Sequence, residues 1–116
     1  MTEEQYPFRM VHYTTAMRGI QANISDTDLP NICRYLLDMM GMDIIGFKEH
    51  TFPNGALTFV FLLGTSHLAC HTWAESKSFF LDFATCGENP NMMGFHNRLL
   101  QMVNPTDYKY DIVVRD

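Results

Sequence analysis

The sequence has 116 residues, enough for one hydrophobic core, and its 47% hydrophobic and 18% charged residues are typical of a globular domain rather than a disordered chain. The net charge of −5 and the scattered Lys and Arg residues argue against a nucleic-acid partner. Apolar runs are too short to span a membrane, and the acidic start is unlike a signal peptide, so we expect no membrane partner and a cytoplasmic location. Three cysteines without a C-x-x-C spacing indicate free thiols.

After a short tail over residues 1–7, a strand is predicted over residues 10–20 and an amphipathic helix follows it. Residues 25–28 offer N-cap side chains, and Pro30 is tolerated in the first helical turn. Apolar residues then recur at helical spacing as far as Met40, and Gly41 is a typical residue for ending the helix.

Four further strands are predicted over residues 44–52, 56–63, 66–73 and 79–85, with a turn at Pro53-Asn54-Gly55. A second helix is expected to be capped by Asn89, with Pro90 at its first position and Pro105 at its end. A last strand covers residues 108–114. The unbroken apolar run at 56–63 predicts a strand that is buried on both faces.

The order β-α-β-β-β-β-α-β predicts an α+β fold, a two-layer α/β sandwich with a mainly antiparallel sheet and both helices on one face. We treat residues 1–116 as a single domain. Because the central strands are so apolar, the other face of the sheet also needs cover, and a second copy of a chain this short would supply it. We therefore expect a homodimer.

Reactive side chains are concentrated between Thr65 and Glu75 and again around Cys86. His67 and His71 share one face of a predicted strand and could bind zinc with Cys86, although a fourth ligand is not evident. Ser66 with His71 could instead form a nucleophile and base, but the glycine pattern of a hydrolase elbow is missing. A structural, hydrogen-bonded histidine is the simplest alternative.

The segment Ser66-His67-Leu68-x-x-His71-Thr72-Trp73-x-Glu75, followed by Phe83-Ala84-Thr85-Cys86-Gly87, resembles the processing and active-site signature of the prokaryotic S-adenosylmethionine decarboxylase proenzymes. The spacing of five residues from the serine to the second histidine and of twenty from the serine to the cysteine is also similar. The resemblance covers residues 10–114 in the order of its elements and is most specific between Phe52 and Glu88.

This resemblance implies a chain that cuts itself between Thr65 and Ser66, giving a β chain of residues 1–65 and an α chain of residues 66–116. Ser66 would become a covalent pyruvoyl group, the cofactor, which forms a Schiff base with the substrate amine and accepts electrons as pyridoxal phosphate does elsewhere. The implied substrate is S-adenosylmethionine, whose decarboxylated product donates an aminopropyl group in spermidine synthesis. The implied assembly is a homodimer of processed αβ units.

The resemblance also assigns roles to single residues. His71 matches the histidine that accepts a proton during self-processing, and Thr58 stands where the family has a serine that assists this step. Cys86 matches the cysteine that returns a proton to the decarboxylated carbon. Phe52 matches an aromatic residue that stacks on the adenine, and Glu75 matches a carboxylate that binds the ribose. No metal site is implied.

Three positions depart from the family pattern. Thr65 replaces the usual glutamate before the cleavage site, Ala74 replaces a proline, and the first strand lacks its usual acidic residue. These changes put the rate of cleavage and the substrate in question. They leave two alternatives: a pyruvoyl-dependent arginine or ornithine decarboxylase, and an unprocessed, non-catalytic homologue that acts as a binding or regulatory subunit.

Overall fold

The computed structural model of the protein describes residues 8–87 and 89–116. The expected N-terminal tail and Glu88, which closes the Cys86 segment, lie outside the described residues. The elements are β1 (Met10–Ile20), α1 (Leu29–Met39), β2 (Gly46–Thr51), β3 (Leu57–Leu63), β4 (Ser66–Trp73), β5 (Ser78–Cys86), α2 (Met92–Val103) and β6 (Pro105–Arg115). A short 3₁₀ turn over Asp26–Asp28 precedes α1. The predicted order of elements is confirmed.

The six strands form one sheet in the order β2-β3-β4-β5-β1-β6, and every neighbouring pair is antiparallel. Strands β3 and β4 form a tight hairpin whose register runs from Leu63 opposite Ser66, beside the turn, to Thr58 opposite His71 at the far end. This hairpin positions most of the residues that the sequence singled out.

Both helices lie on the same face of the sheet, where they contact each other, and this confirms the predicted two-layer sandwich. Alternate strand residues point into the layer between sheet and helices, as the two-residue period of a strand requires. The largest fully buried side chains there include Tyr13, Phe59, Phe61, Phe83 and Phe95. Each such side chain stabilises the fold by about 1.5–3 kcal/mol through removal of apolar surface from water.

The ends of the two helices follow different rules. Gly41 directly follows the C-cap of α1 with a φ of +73°, the left-handed conformation that favours glycine, so it ends the helix as expected. The expected cap of α2 is corrected: the N-cap is Asn91, whose Oδ1 accepts a hydrogen bond from the Gly94 N–H at 2.9 Å. Asn89 lies too far from the first turn to make that bond, and Pro90 stays outside the helix.

The other face of the sheet, which we call the open face, carries no helix. The prediction that residues 56–63 are buried on both faces is wrong for a single chain, because Val60 and Leu62 are 39% and 53% exposed there. Trp73 and Phe80 are exposed apolar residues on the same face. Within residues 8–87 and 89–116, no helix is long and apolar enough to cross a membrane.

Candidate active site

The Ser66 side chain lies at the start of β4, directly after the hairpin turn at Gly64 and Thr65. Gly64 adopts a φ of +48°, which allows the chain to reverse tightly at this point. Ser66 is 7% exposed and its Oγ lies 2.6 Å from Oγ1 of Thr85 on the neighbouring strand β5. The hydroxyl is therefore held in a buried position by one short hydrogen bond.

Thr65, the residue before Ser66, also contacts β5. Its Oγ1 lies 2.7 Å from Sγ of Cys86, the last residue of that strand. The peptide bond between Thr65 and Ser66 is consequently bracketed by two side-chain contacts to consecutive residues of β5. We call these four residues, Thr65, Ser66, Thr85 and Cys86, the hairpin-turn group.

A second group of candidate residues lies at the opposite end of the hairpin. Thr58 Oγ1 is 3.0 Å from Nδ1 of His71, and the two residues form the last paired rung of β3 and β4. They open onto a cavity of about 640 Å³. We call it the strand-end cavity, and its walls include Phe52, Thr58, His71, Trp73 and Glu75.

The two groups are separated within one chain. Ser66 and His71 are five residues apart on a regular strand, a separation of about 17 Å. Ser66 is buried with the residues that face the helices, whereas His71 is exposed on the open face, because residues an odd number apart on a regular strand point to opposite faces. The hydrolase alternative is therefore wrong for the single chain, because its nucleophile and base do not meet.

The zinc alternative has no support among the described residues either. In residues 8–87 and 89–116, no group of three or more His, Cys, Asp or Glu side chains is arranged to hold a metal ion. His67 lies four residues before His71 and shares its face, but Cys86 instead contacts Thr65 at the hairpin turn.

The three cysteines occupy very different surroundings. Cys33 and Cys70 are fully buried, and burial raises the pKa of Cys33 to about 12 and that of Cys70 well above its ordinary value, because a thiolate is poorly solvated in the core. Cys86 is partly accessible. Of the three thiols it is the one that a reactant could approach.

Three residues that sequence reasoning did not assign to the site contribute to it. Trp73 lines the strand-end cavity, Thr85 holds the Ser66 hydroxyl, and Asp26 accepts a hydrogen bond from Thr72 at the edge of the cavity. Trp73 and Thr85 stand beside assigned residues in the same motifs, so proximity in sequence was a usable signal. Asp26 lies 46 residues from Thr72 and no local pattern connects them.

Comparison with solved structures supports the fold. The adenosylmethionine decarboxylase from Aquifex aeolicus superposes with a TM-score of 0.79 over 90% of this chain and 88% of that chain, at 21% sequence identity. At that level of identity, the similarity establishes the shared architecture alone.

Curated relatives share part of the sequence. The S-adenosylmethionine decarboxylase proenzyme of Methanococcus maripaludis is 37% identical over 65 residues, which are 53% of this chain and 53% of that protein. The proenzyme of the same name from Syntrophomonas wolfei is 35% identical over 75 residues, 65% of this chain and 60% of that protein. The arginine decarboxylase proenzyme of Caldivirga maquilingensis is 26% identical over 93 residues, 78% of this chain and 69% of that protein. The match to the Methanococcus relative thus spans about half the length of that protein.

The model of the family described as S-adenosylmethionine decarboxylase matches residues 12–116, nearly the whole chain. The matched region includes every strand that carries the hairpin-turn group and the strand-end cavity. The chain therefore belongs to the S-adenosylmethionine decarboxylase family.

Proposed function

We propose that this chain is a pyruvoyl-dependent S-adenosylmethionine decarboxylase that first cuts itself between Thr65 and Ser66. The observation that carries the proposal is the 2.7 Å contact between Thr65 and Cys86. This contact supports the proposal because the thiol assigned to proton return touches the side chain of Thr65, the residue before the proposed cleavage site. Family membership and this contact support the same site independently.

The bonds that self-cleavage makes and breaks all lie at the hairpin turn. Ser66 Oγ attacks the carbonyl carbon of Thr65, the C–N bond breaks, and the nitrogen takes up the hydroxyl proton to leave an ester. Loss of the Ser66 Cα proton then breaks the Cβ–Oγ bond, freeing Thr65 as a carboxylate. Water replaces the nitrogen of the resulting enamine, and ammonia leaves. Thr85 orients the Ser66 hydroxyl by its 2.6 Å hydrogen bond.

The pyruvoyl group fits this position because the new chain end at residue 66 would remain beside Cys86. When formed, it supplies an electron sink for the charge that decarboxylation leaves on carbon. Cys86 is partly accessible and ends β5 next to the cleavage site, so its thiol can donate a proton there. Its buried counterparts Cys33 and Cys70 cannot reach this position.

A second copy of the chain would bring the two groups together. His71 lies about 17 Å from Ser66 along β4, so it cannot accept a proton at its own cleavage site. A twofold pairing of open faces would bring the His71 end of one chain to the Thr65–Ser66 backbone at its partner's hairpin turn, with the Ser66 hydroxyl on the far side, toward the helices. The exposed Val60, Leu62 and Phe80 on that face supply apolar surface for such a contact. We therefore propose a homodimer with shared sites.

The strand-end cavity would bind the substrate. Its volume of about 640 Å³ lies within the range of small-molecule sites. Phe52 is 45% exposed at its rim, where an aromatic face can stack on adenine and attract the sulfonium cation. Glu75 lies in the same wall and offers a carboxylate to the ribose hydroxyls. Asn54 and Trp73 add one polar and one aromatic side chain.

Arginine decarboxylation is the second candidate, favoured by the similarity to the Caldivirga protein and by the first strand, which lacks an acidic residue. The test is release of labelled CO₂ from S-adenosylmethionine, arginine and ornithine by the same purified protein. We expect S-adenosylmethionine to be turned over at least tenfold faster than either amino acid. Preferential release from arginine or ornithine would overturn the substrate assignment and leave the pyruvoyl chemistry intact.

A further inference from the structure

Asp26 lies far from both candidate groups in sequence and reaches the end of the β3–β4 hairpin through one side chain. Thr72 Oγ1 donates a hydrogen bond to Asp26 Oδ2 at 2.7 Å. Thr72 Oγ1 also accepts a hydrogen bond from the Leu57 N–H at 2.8 Å. Since a hydroxyl has a single proton, the bond to Asp26 fixes which way Thr72 donates and directs its lone pair at Leu57.

This chain of contacts closes the ladder beside the Thr58–His71 rung. The backbone pairing of β3 with β4 ends at that rung, and Leu57 is the next residue of β3. Its N–H is therefore held by the side chain of Thr72. Leu57 and Thr72 are 2% and 6% exposed, so water offers little replacement if the contact is lost.

The position of Asp26 makes its carboxylate a strong hydrogen-bond acceptor for Thr72. It lies in the 3₁₀ turn before α1 and is partly buried, at the edge of a second cavity of about 340 Å³ that shares Asn54 and Ala74 with the strand-end cavity. Hydrogen bonds to a charged acceptor are stronger than those between neutral groups. The turn before α1 is thereby tied to the wall of the candidate substrate site.

We infer that Asp26 is a positioning residue that acts through Thr72 to hold Thr58 and His71 in the alignment that processing and substrate binding need. The effect of Asp26 on cleavage rests on the proposed function. Its effect on the alignment of Thr58 and His71 exists in the uncut chain as well. Without the carboxylate, the Thr72 hydroxyl is free to rotate, the Leu57 N–H loses its acceptor for part of the time, and the last rung opens.

The test measures amide hydrogen exchange at Leu57 in the full-length chain carrying Ser66→Ala, so that every sample is uncut. We expect Asp26→Ala to accelerate exchange at Leu57 about tenfold, because one charge-assisted hydrogen bond is lost. Amides in the middle of β3 should keep their exchange rates. Thr72→Val should do the same, and Thr72→Ser, which keeps the hydroxyl, should stay near the parent rate. Asp26→Asn retains an oxygen acceptor and should recover most of the protection.

Asp28→Ala is the matched control. Asp28 belongs to the same turn, but its carboxylate accepts hydrogen bonds from the N–H and the hydroxyl of Ser25, at 2.8 Å and 3.2 Å, and not from Thr72. Unchanged exchange at Leu57 in Asp26→Ala, or equal acceleration in Asp28→Ala, would overturn the inference. In the parent chain, which retains Ser66 and can cleave, Asp26→Ala should also slow cleavage about tenfold. If the parent chain never cleaves, the proposed function fails while the Leu57 result still decides the role of Asp26.

Discussion

Thr58 Oγ1 lies 3.0 Å from Nδ1 of His71 on the last paired rung of β3 and β4. When Nδ1–H donates to the Thr58 hydroxyl, this contact fixes the plane of the imidazole and leaves the lone pair of Nε2 free to accept a proton at the open face. An oriented imidazole is what general-base chemistry near neutral pH requires. The hydroxyl at position 58 is therefore expected to matter for His71 rather than for folding.

Replacement of Thr58 tests that dependence. Thr58→Val keeps the shape of the side chain and removes the hydroxyl, so we expect self-cleavage to slow about tenfold through loss of one hydrogen bond to the base. Thr58→Ser keeps the hydroxyl and should cleave at close to the parent rate. Cleavage is followed by the mass of the chain over time. Equal rates in the valine and serine variants would remove Thr58 from the mechanism.

Phe52 is expected to bind substrate through its ring. Phe52→Ala should raise the KM for S-adenosylmethionine at least tenfold with little change in kcat, since stacking of a base on an aromatic ring contributes about 1–3 kcal/mol. Phe52→Tyr should retain most of the affinity. Tyr35→Ala is a suitable control, because Tyr35 is 49% exposed on α1 and does not line the strand-end cavity. An unchanged KM in Phe52→Ala would argue against adenine stacking.

The thiols should differ sharply in their reactivity. At mildly alkaline pH we expect iodoacetamide to modify Cys86 alone, because burial raises the pKa of Cys33 to about 12 and keeps Cys70 protonated as well. Peptide mapping identifies the modified residue. Modification of Cys86, or its replacement in Cys86→Ala, should reduce turnover at least a hundredfold if the thiol is the proton donor. Cleavage should be much less affected, and the reverse pattern would contradict the assigned role.

A buried Tyr13–His96 pair predicts how stability depends on pH. Tyr13 Oη lies 2.6 Å from His96 Nδ1, and burial lowers the pKa of His96 below its ordinary value of 6.5 and raises the pKa of Tyr13. The unfolded chain therefore binds a proton at His96 that the folded chain resists. The stability that the neutral imidazole provides is present above pH 6.5 and is lost as the pH falls through the lower, folded-state pKa.

Thermal unfolding across this acidic range checks the prediction. The parent protein should lose stability as the pH falls below 6.5. His96→Phe should be less stable at neutral pH, because it leaves the Tyr13 hydroxyl without its partner, but its melting temperature should fall less steeply on acidification. If the melting temperature of both proteins falls equally steeply with pH, another group controls the loss of stability at acidic pH.

Much of the fold could be predicted because its signals are local. The β4 boundaries at Ser66 and Trp73 follow from turn residues and alternation, and the opposite faces of Ser66 and His71 follow from the two-residue period alone. Exposure of Val60 and Leu62 could not be predicted in that way. An apolar strand has the same sequence whether a helix or a second chain covers it.

Only part of the candidate site could be predicted, because its arrangement depends on contacts between residues far apart in the sequence. The family resemblance assigns roles to Thr58, His71 and Cys86, but their separation into two groups depends on the register of the hairpin. The cap at Asn91 instead of Asn89 depends on where the chain leaves Pro90. Asp26 joins the site only through tertiary contact with Thr72.

Self-cleavage between Thr65 and Ser66 is tested most directly by the intact mass of the purified protein. We expect the 13.4 kDa chain to give two fragments of about 7 kDa and 6 kDa, the smaller beginning with a blocked pyruvoyl end and neither forming in Ser66→Ala. A single uncut species of full mass from the parent protein, or fragments that persist in Ser66→Ala, would contradict it.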